Sequence, residues 1–161
     1  MNGRTIYGTG HMVTERPALP ASEPGLYLRH RDRGFVAHML AGPFRLSLVR
    51  RLTAKSLLAH GASAETAGTA QLVLSELVGN AIRACGDDVP LVVEVYVGDT
   101  GTVVSVHDPA PDLLPRPAES AMDSADAESG RGLPLLNLLC TDVTVTASPI
   151  GKQIRCLLGP A

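Results

Sequence analysis

"LSELVGNAI", residues 74–82, carries two strongly polar side chains, Glu76 and Asn80, in a run built mainly of Leu, Val, Ala and Ile. On a 3.6-residue period Ala70, Leu74, Leu77, Val78 and Ala81 gather on one face, while Glu76, Asn80 and Arg83 project from the opposite side. The spacing predicts a helix over 65–84, capped by Ser63 and ended by Gly86. Directly downstream the period changes. "LVVEVYVGDTGTVVSVHD" (91–108) alternates, is dense in Val, and holds turn residues at 98–101, which predicts an antiparallel hairpin. An amphipathic helix that runs into a half-buried hairpin points to an α+β class.

The neighbouring segments extend this pattern. "FVAHML" (35–40) has strand composition and stops at Gly42 and Pro43. Phe44, Leu48, Leu52, Leu57 and Leu58 give a helical period over 44–60. Residues 109–131, with four prolines followed by Ala, Ser, Asp and Glu, form a long loop, and loops of that length are functional or disordered. A further helix is predicted over 132–140, and "DVTVTAS" (142–148) with "KQIRCLL" (152–158) form a closing hairpin. The first 34 residues, rich in Gly, Pro, Arg and Thr, are predicted to be a loose arm, with one domain over 35–158. The expected fold is a two-layer sandwich of helices on a mixed, mostly antiparallel sheet.

Bulk properties narrow the function. With 161 residues and 45% hydrophobic content the chain supports one ordinary core. A net charge of -2 gives no global attraction to nucleic acid or anionic lipid. No stretch approaches the roughly 18 apolar residues of a membrane span, and no export signal opens the chain, so a cytoplasmic protein is expected. Cys85, Cys140 and Cys156 are odd in number and lack C-x-x-C spacing, which argues against a disulfide framework or a zinc site. His38, His60 and His107 also lack ligand spacing.

On periodicity alone, Glu76 and Asn80 are a solvated helix face. Two other features add to them: Asp108 ends a Val-rich strand before the proline-rich loop, and "GRGL" (130–133) stands where that loop becomes a helix. A lone G-x-G is weak, because such glycines often serve backbone geometry alone.

The order "ELVGNA" (76–81), "VHDPAPD" (106–112), a loop of about twenty residues, then "GRGL" (130–133) resembles the N, G1 and G2 boxes of the GHKL ATPases, which share the Bergerat fold. The small size and the closing "GKQIRCLL" (151–158) are most similar to the anti-sigma-factor serine/threonine kinases of partner-switching systems. The resemblance implies ATP and Mg2+ as ligands. Asn80 would offer the metal an amide oxygen, since Mg2+ keeps most of its waters and takes few protein ligands. Glu76, one turn earlier, would be the general base. Asp108 would accept a hydrogen bond from the adenine amino group. Gly130, Arg131, Gly132 and Leu133 would bring helix N-terminal N–H groups to the phosphates.

Three positions depart from that pattern: Ala110 and Asp112 occupy the glycine places of G1, and Ala84 stands where the branch often has histidine. The loop acids Glu119, Asp123, Asp126 and Glu128 are read as a solvated lid rather than a second metal site. The implied partners are a sigma factor and an anti-anti-sigma protein with a STAS domain, with dimerisation common in the branch. The helix over 44–60, bearing Arg45, Arg50, Arg51 and Lys55 and no acid, is either a docking surface for them or an ordinary solvated face. It lacks the interleaved aromatics of a nucleic-acid site. Two alternatives to a kinase stay open: a module that holds ATP without transferring phosphate, and a degenerate domain that binds none.

Overall fold

The computed structural model describes residues 16–110 and 132–159. The elements run β1 (Leu26–Arg31), β2 (Gly34–Leu40), α1 (Pro43–Ala59), α2 (Ala64–Cys85), β3 (Pro90–Val97), β4 (Thr102–Asp108), α3 (Gly132–Leu139), β5 (Asp142–Ser148) and β6 (Gly151–Leu157). Six strands form one sheet in the order β1-β2-β3-β4-β6-β5. Every neighbouring pair is antiparallel, so the expected sheet contains no parallel pairing among the described residues.

Strand alternation decides which face carries the helices. Along β3 the odd-numbered Leu91, Val93, Val95 and Val97 are buried, and the residues between them are only partly covered. Phe35, Ala37 and Met39 of β2, Val104 and Val106 of β4, and Ile154 and Cys156 of β6 join the same core. The helices close over it. Ala67, Ala70, Val73, Leu74, Leu77, Val78 and Ala81 form the buried stripe of α2, as its spacing predicts. Ser63 caps the helix, its hydroxyl accepting from the Thr66 N–H at 3.1 Å. Leu136 of α3 is fully buried in this core as well.

Two expectations are corrected. The loose arm was to reach residue 34, but Leu26–Arg31 is an edge strand paired with Gly34–Leu40. Leu26 and Leu28 supply its buried alternate positions, too few to stand out in a segment crowded with Arg, His and Asp. The strand is also tied down from its far end. Arg31 reaches past β2, pairs with Glu94 and lies 3.4 Å from the centre of the Tyr96 ring on β3. The Tyr96 phenol is raised by burial, but hydrogen bonds and charge from Arg155 and Arg31 outweigh this and hold it below its ordinary value.

The second correction concerns α1. Its buried face is Val49, Leu52, Thr53, Ser56 and Leu57, whereas Phe44 and Leu58 are 68% and 50% exposed. Two small hydroxyl residues can line the helix–sheet contact because Thr53 satisfies its own hydroxyl on the Val49 carbonyl at 2.8 Å. Of the five residues that gave the helical spacing, Leu52 and Leu57 are buried and Leu48 packs against the core, whereas Phe44 and Leu58 lie outside it. Among the described residues no helix is long and apolar enough to cross a membrane.

Candidate functional site

Asp108 ends β4 on the helix-covered face, in phase with Val104 and Val106, and is 4% exposed. A carboxylate buried to this degree needs a counter-charge and hydrogen bonds. Lys152, its register partner on β6 and 3% exposed, provides them. The ammonium donates to Asp108 Oδ1 at 3.1 Å and to the Ala110 carbonyl at 3.1 Å, and stands 3.0 Å from Asp108 Oδ2 as an ion pair. Asp108 Oδ1 also accepts the Ala110 N–H at 2.9 Å. Two ammonium protons are thus hydrogen-bonded and Oδ1 accepts two bonds, while Oδ2 keeps acceptor capacity beside the ammonium charge.

Gly151 makes this pairing possible. Its φ is +149°, and a Cβ there would lie 1.8 Å from the Asp108 carbonyl oxygen. Only glycine lets the β5–β6 turn come this close and set Lys152 across from Asp108. Lys152 had no role in the sequence reading. Its partner lies 44 residues away, and no local spacing announces a cross-strand pair between separate hairpins.

The other residues come from α2. Glu76 and Asn80 are half-buried beside the core stripe, and Asn80 Oδ1 accepts a hydrogen bond from Arg83. The end of the same helix lies at the ion pair. The Cys85 thiol is pushed up by burial and by the Asp108 charge, with a partly offsetting effect of Lys152. Asn80 is five residues upstream, about 7.5 Å along a helix axis. The helix α2 packs against both β4 and α3.

Gly132 and Leu133 open α3, whereas Gly130 and Arg131, and all four loop acids, lie outside the described residues. The chain leaves the described structure at Ala110, hydrogen-bonded to the ion pair, and re-enters at Gly132. The hollows on the described surface include two of several hundred Å³. One, about 400 Å³, sits between α1 and α2 at Leu46, Arg50 and Gln71, remote from Asp108. The other, about 510 Å³, touches Asp108 but is lined by Tyr27, His38, Val92 and His107. Those residues alternate with core positions, so this hollow opens largely on the uncovered face of the sheet, whereas the Asp108 carboxylate faces the helices. Among the described residues no three His, Cys, Asp or Glu side chains form a metal cluster.

In chemical terms, the site offers one acceptor on a buried carboxylate, a carboxamide and a carboxylate one turn apart, and the first turn of a helix. This set suits a ligand with a ring amino group and an anionic, cation-carrying tail. Residues 40–157 match the family model described as histidine kinase-like ATPase domain. Among curated proteins, none matches the chain.

Proposed function

The chain belongs to the histidine kinase-like ATPase domain family, and on that premise we propose that it is an Mg-ATP-dependent serine/threonine kinase that phosphorylates an anti-anti-sigma protein of STAS fold and sequesters a sigma factor. The observation that supports the nucleotide half of this reading is the packing of α2, which carries Glu76 and Asn80, against both α3 and β4, the strand that ends in the buried Asp108–Lys152 pair. The residues suit the ligand. Asp108 retains one acceptor for the adenine amino group. The Asn80 amide oxygen is held by Arg83, an exposed side chain that can release it to a metal at little cost and then offer its charge to phosphate.

Bound Mg-ATP supplies the phosphoryl group and neutralises charge at its phosphates. Glu76, half-buried one turn before Asn80, accepts the proton of the attacking serine or threonine hydroxyl, an effect of about 10² to 10⁴ in rate. The partner half rests on α1. Phe44, Arg51, Lys55 and Leu58 share its outer, exposed side, a mixed apolar and cationic strip suited to an acidic protein surface.

Labelled γ-phosphate offered together with a STAS-domain protein tests the assignment. Glu76→Gln is expected to bind Mg-ATP as wild type does and to lose transfer, and Asn80→Ala to lose Mg-ATP affinity. Equal transfer by wild type and Glu76→Gln would refute the role of Glu76. Mg-ATP binding with no transfer to any candidate acceptor would favour a nucleotide-gated binding module.

A further inference from the structure

We propose that Lys152 is a positioning residue for base selection, fixing the Asp108 carboxylate and the Asp108–Ala110 turn so that a single acceptor faces a nucleobase bearing an exocyclic amino donor. The inference rests on the ATP-binding reading and deepens it.

Lys152 does three things at once. It provides the counter-charge for a carboxylate that is 4% exposed, it touches both carboxylate oxygens, and it ties the Ala110 carbonyl to the same ammonium. The carboxylate in turn holds the Ala110 N–H. Side chain and following backbone are therefore locked as one unit, at the place where Ala110 stands instead of a glycine. The ammonium is committed to the carboxylate and to the Ala110 carbonyl, so it is the carboxylate, which only accepts, that is left to meet a base. What the unit presents is an acceptor alone, and a 6-aminopurine satisfies it whereas a 6-oxopurine does not.

A lysine that merely stabilised the fold would leave base preference untouched once the protein was folded. The test uses the full chain at about 10 °C and compares the Kd for Mg-ATP with that for Mg-purine riboside triphosphate, which lacks the amino group. Both ligands carry the same phosphates, so phosphate titration cancels in the ratio. Wild type is expected to prefer ATP by roughly tenfold or more, the worth of one hydrogen bond to a charged acceptor, with little change between pH 6 and 8.5. In Lys152→Met the buried carboxylate has no counter-charge, and the ratio should fall to about one to twofold at pH 6 and partly recover by pH 8.5. The titratable groups around Asp108 include Lys152 on β6, in contact with it, and Cys85 at the end of α2, whose thiol is pushed up by burial and by the Asp108 charge. Lys152→Gln, which keeps one donor for the carboxylate, should give an intermediate ratio and serves as the readout if Lys152→Met does not fold.

Failure of wild type to bind Mg-ATP would remove the functional reading and this inference together. Binding with a tenfold preference that survives in both variants at both pH values would overturn the role of Lys152 alone.

Discussion

Replacing both members of the Asp108–Lys152 pair should cost far less stability than the two single replacements together. Each side chain is 4% exposed, so solvent screens the pair weakly. Asp108→Leu keeps the branching of the side chain but leaves an ammonium buried without a partner; Lys152→Met keeps its length and leaves a carboxylate. Loss of one partner of such a pair costs about 3–5 kcal/mol. For a chain of this size that corresponds to a melting temperature lower by roughly 6–20 °C. The double variant leaves no buried charge, and its main debt is the Ala110 N–H that Asp108 satisfied, about 1–3 kcal/mol. A coupling energy of about 3 kcal/mol or more follows. The chain has no tryptophan, so urea unfolding is best followed by far-ultraviolet circular dichroism, with the slope checked for constancy across the four proteins. Additivity within about 0.5 kcal/mol would refute the account, because it would mean the two charges are not mutually dependent in the folded state.

Other outcomes follow from the same structure. Gly151→Ala, whose Cβ would meet the Asp108 carbonyl oxygen at 1.8 Å with φ at +149°, should lower stability by about 3 kcal/mol or more and weaken nucleotide binding, as seen in paired melts with and without Mg-ATP. Leu77→Ala, in a fully packed stripe, should cost about 2–5 kcal/mol in urea unfolding with Mg-ATP affinity unchanged below the transition. Ser63→Ala removes the α2 cap and should cost about 1 kcal/mol by the same measurement. The Tyr96 phenol is held below its ordinary value by Arg155 and Arg31 against the effect of burial, so its ionised form is favoured in the folded chain. That contribution is present above the unfolded pKa and lost as pH falls through the folded one. Relative to Tyr96→Phe, wild type should therefore gain melting temperature between pH 8 and 10.5, and a constant difference would count against the two arginine contacts.

Local chemistry explains what was legible from residue order. Periodicity in the α2 segment needs only neighbours three and four apart, and the Val alternation of β3 and β4 needs only neighbours two apart, so both elements and the α+β class could be read directly. Glu76 and Asn80 were legible for the same reason, as polar exceptions to an apolar run. Phe44 misled because an N-terminal helix turn can show the right period and still overhang the sheet, and β1 was hidden because it contributes only Leu26 and Leu28 to the core.

Tertiary structure alone decided the rest. That Asp108 is buried, that its charge is answered by Lys152, and that one acceptor remains free all depend on β4 and β6 becoming neighbours in a fixed register, with Gly151 passing close to the Asp108 carbonyl. Strand register between two hairpins is set by the packing of their common apolar face against the helices, a collective property of some dozen side chains. No short stretch of the chain holds that information, because the free energy that selects the register is shared across the whole core.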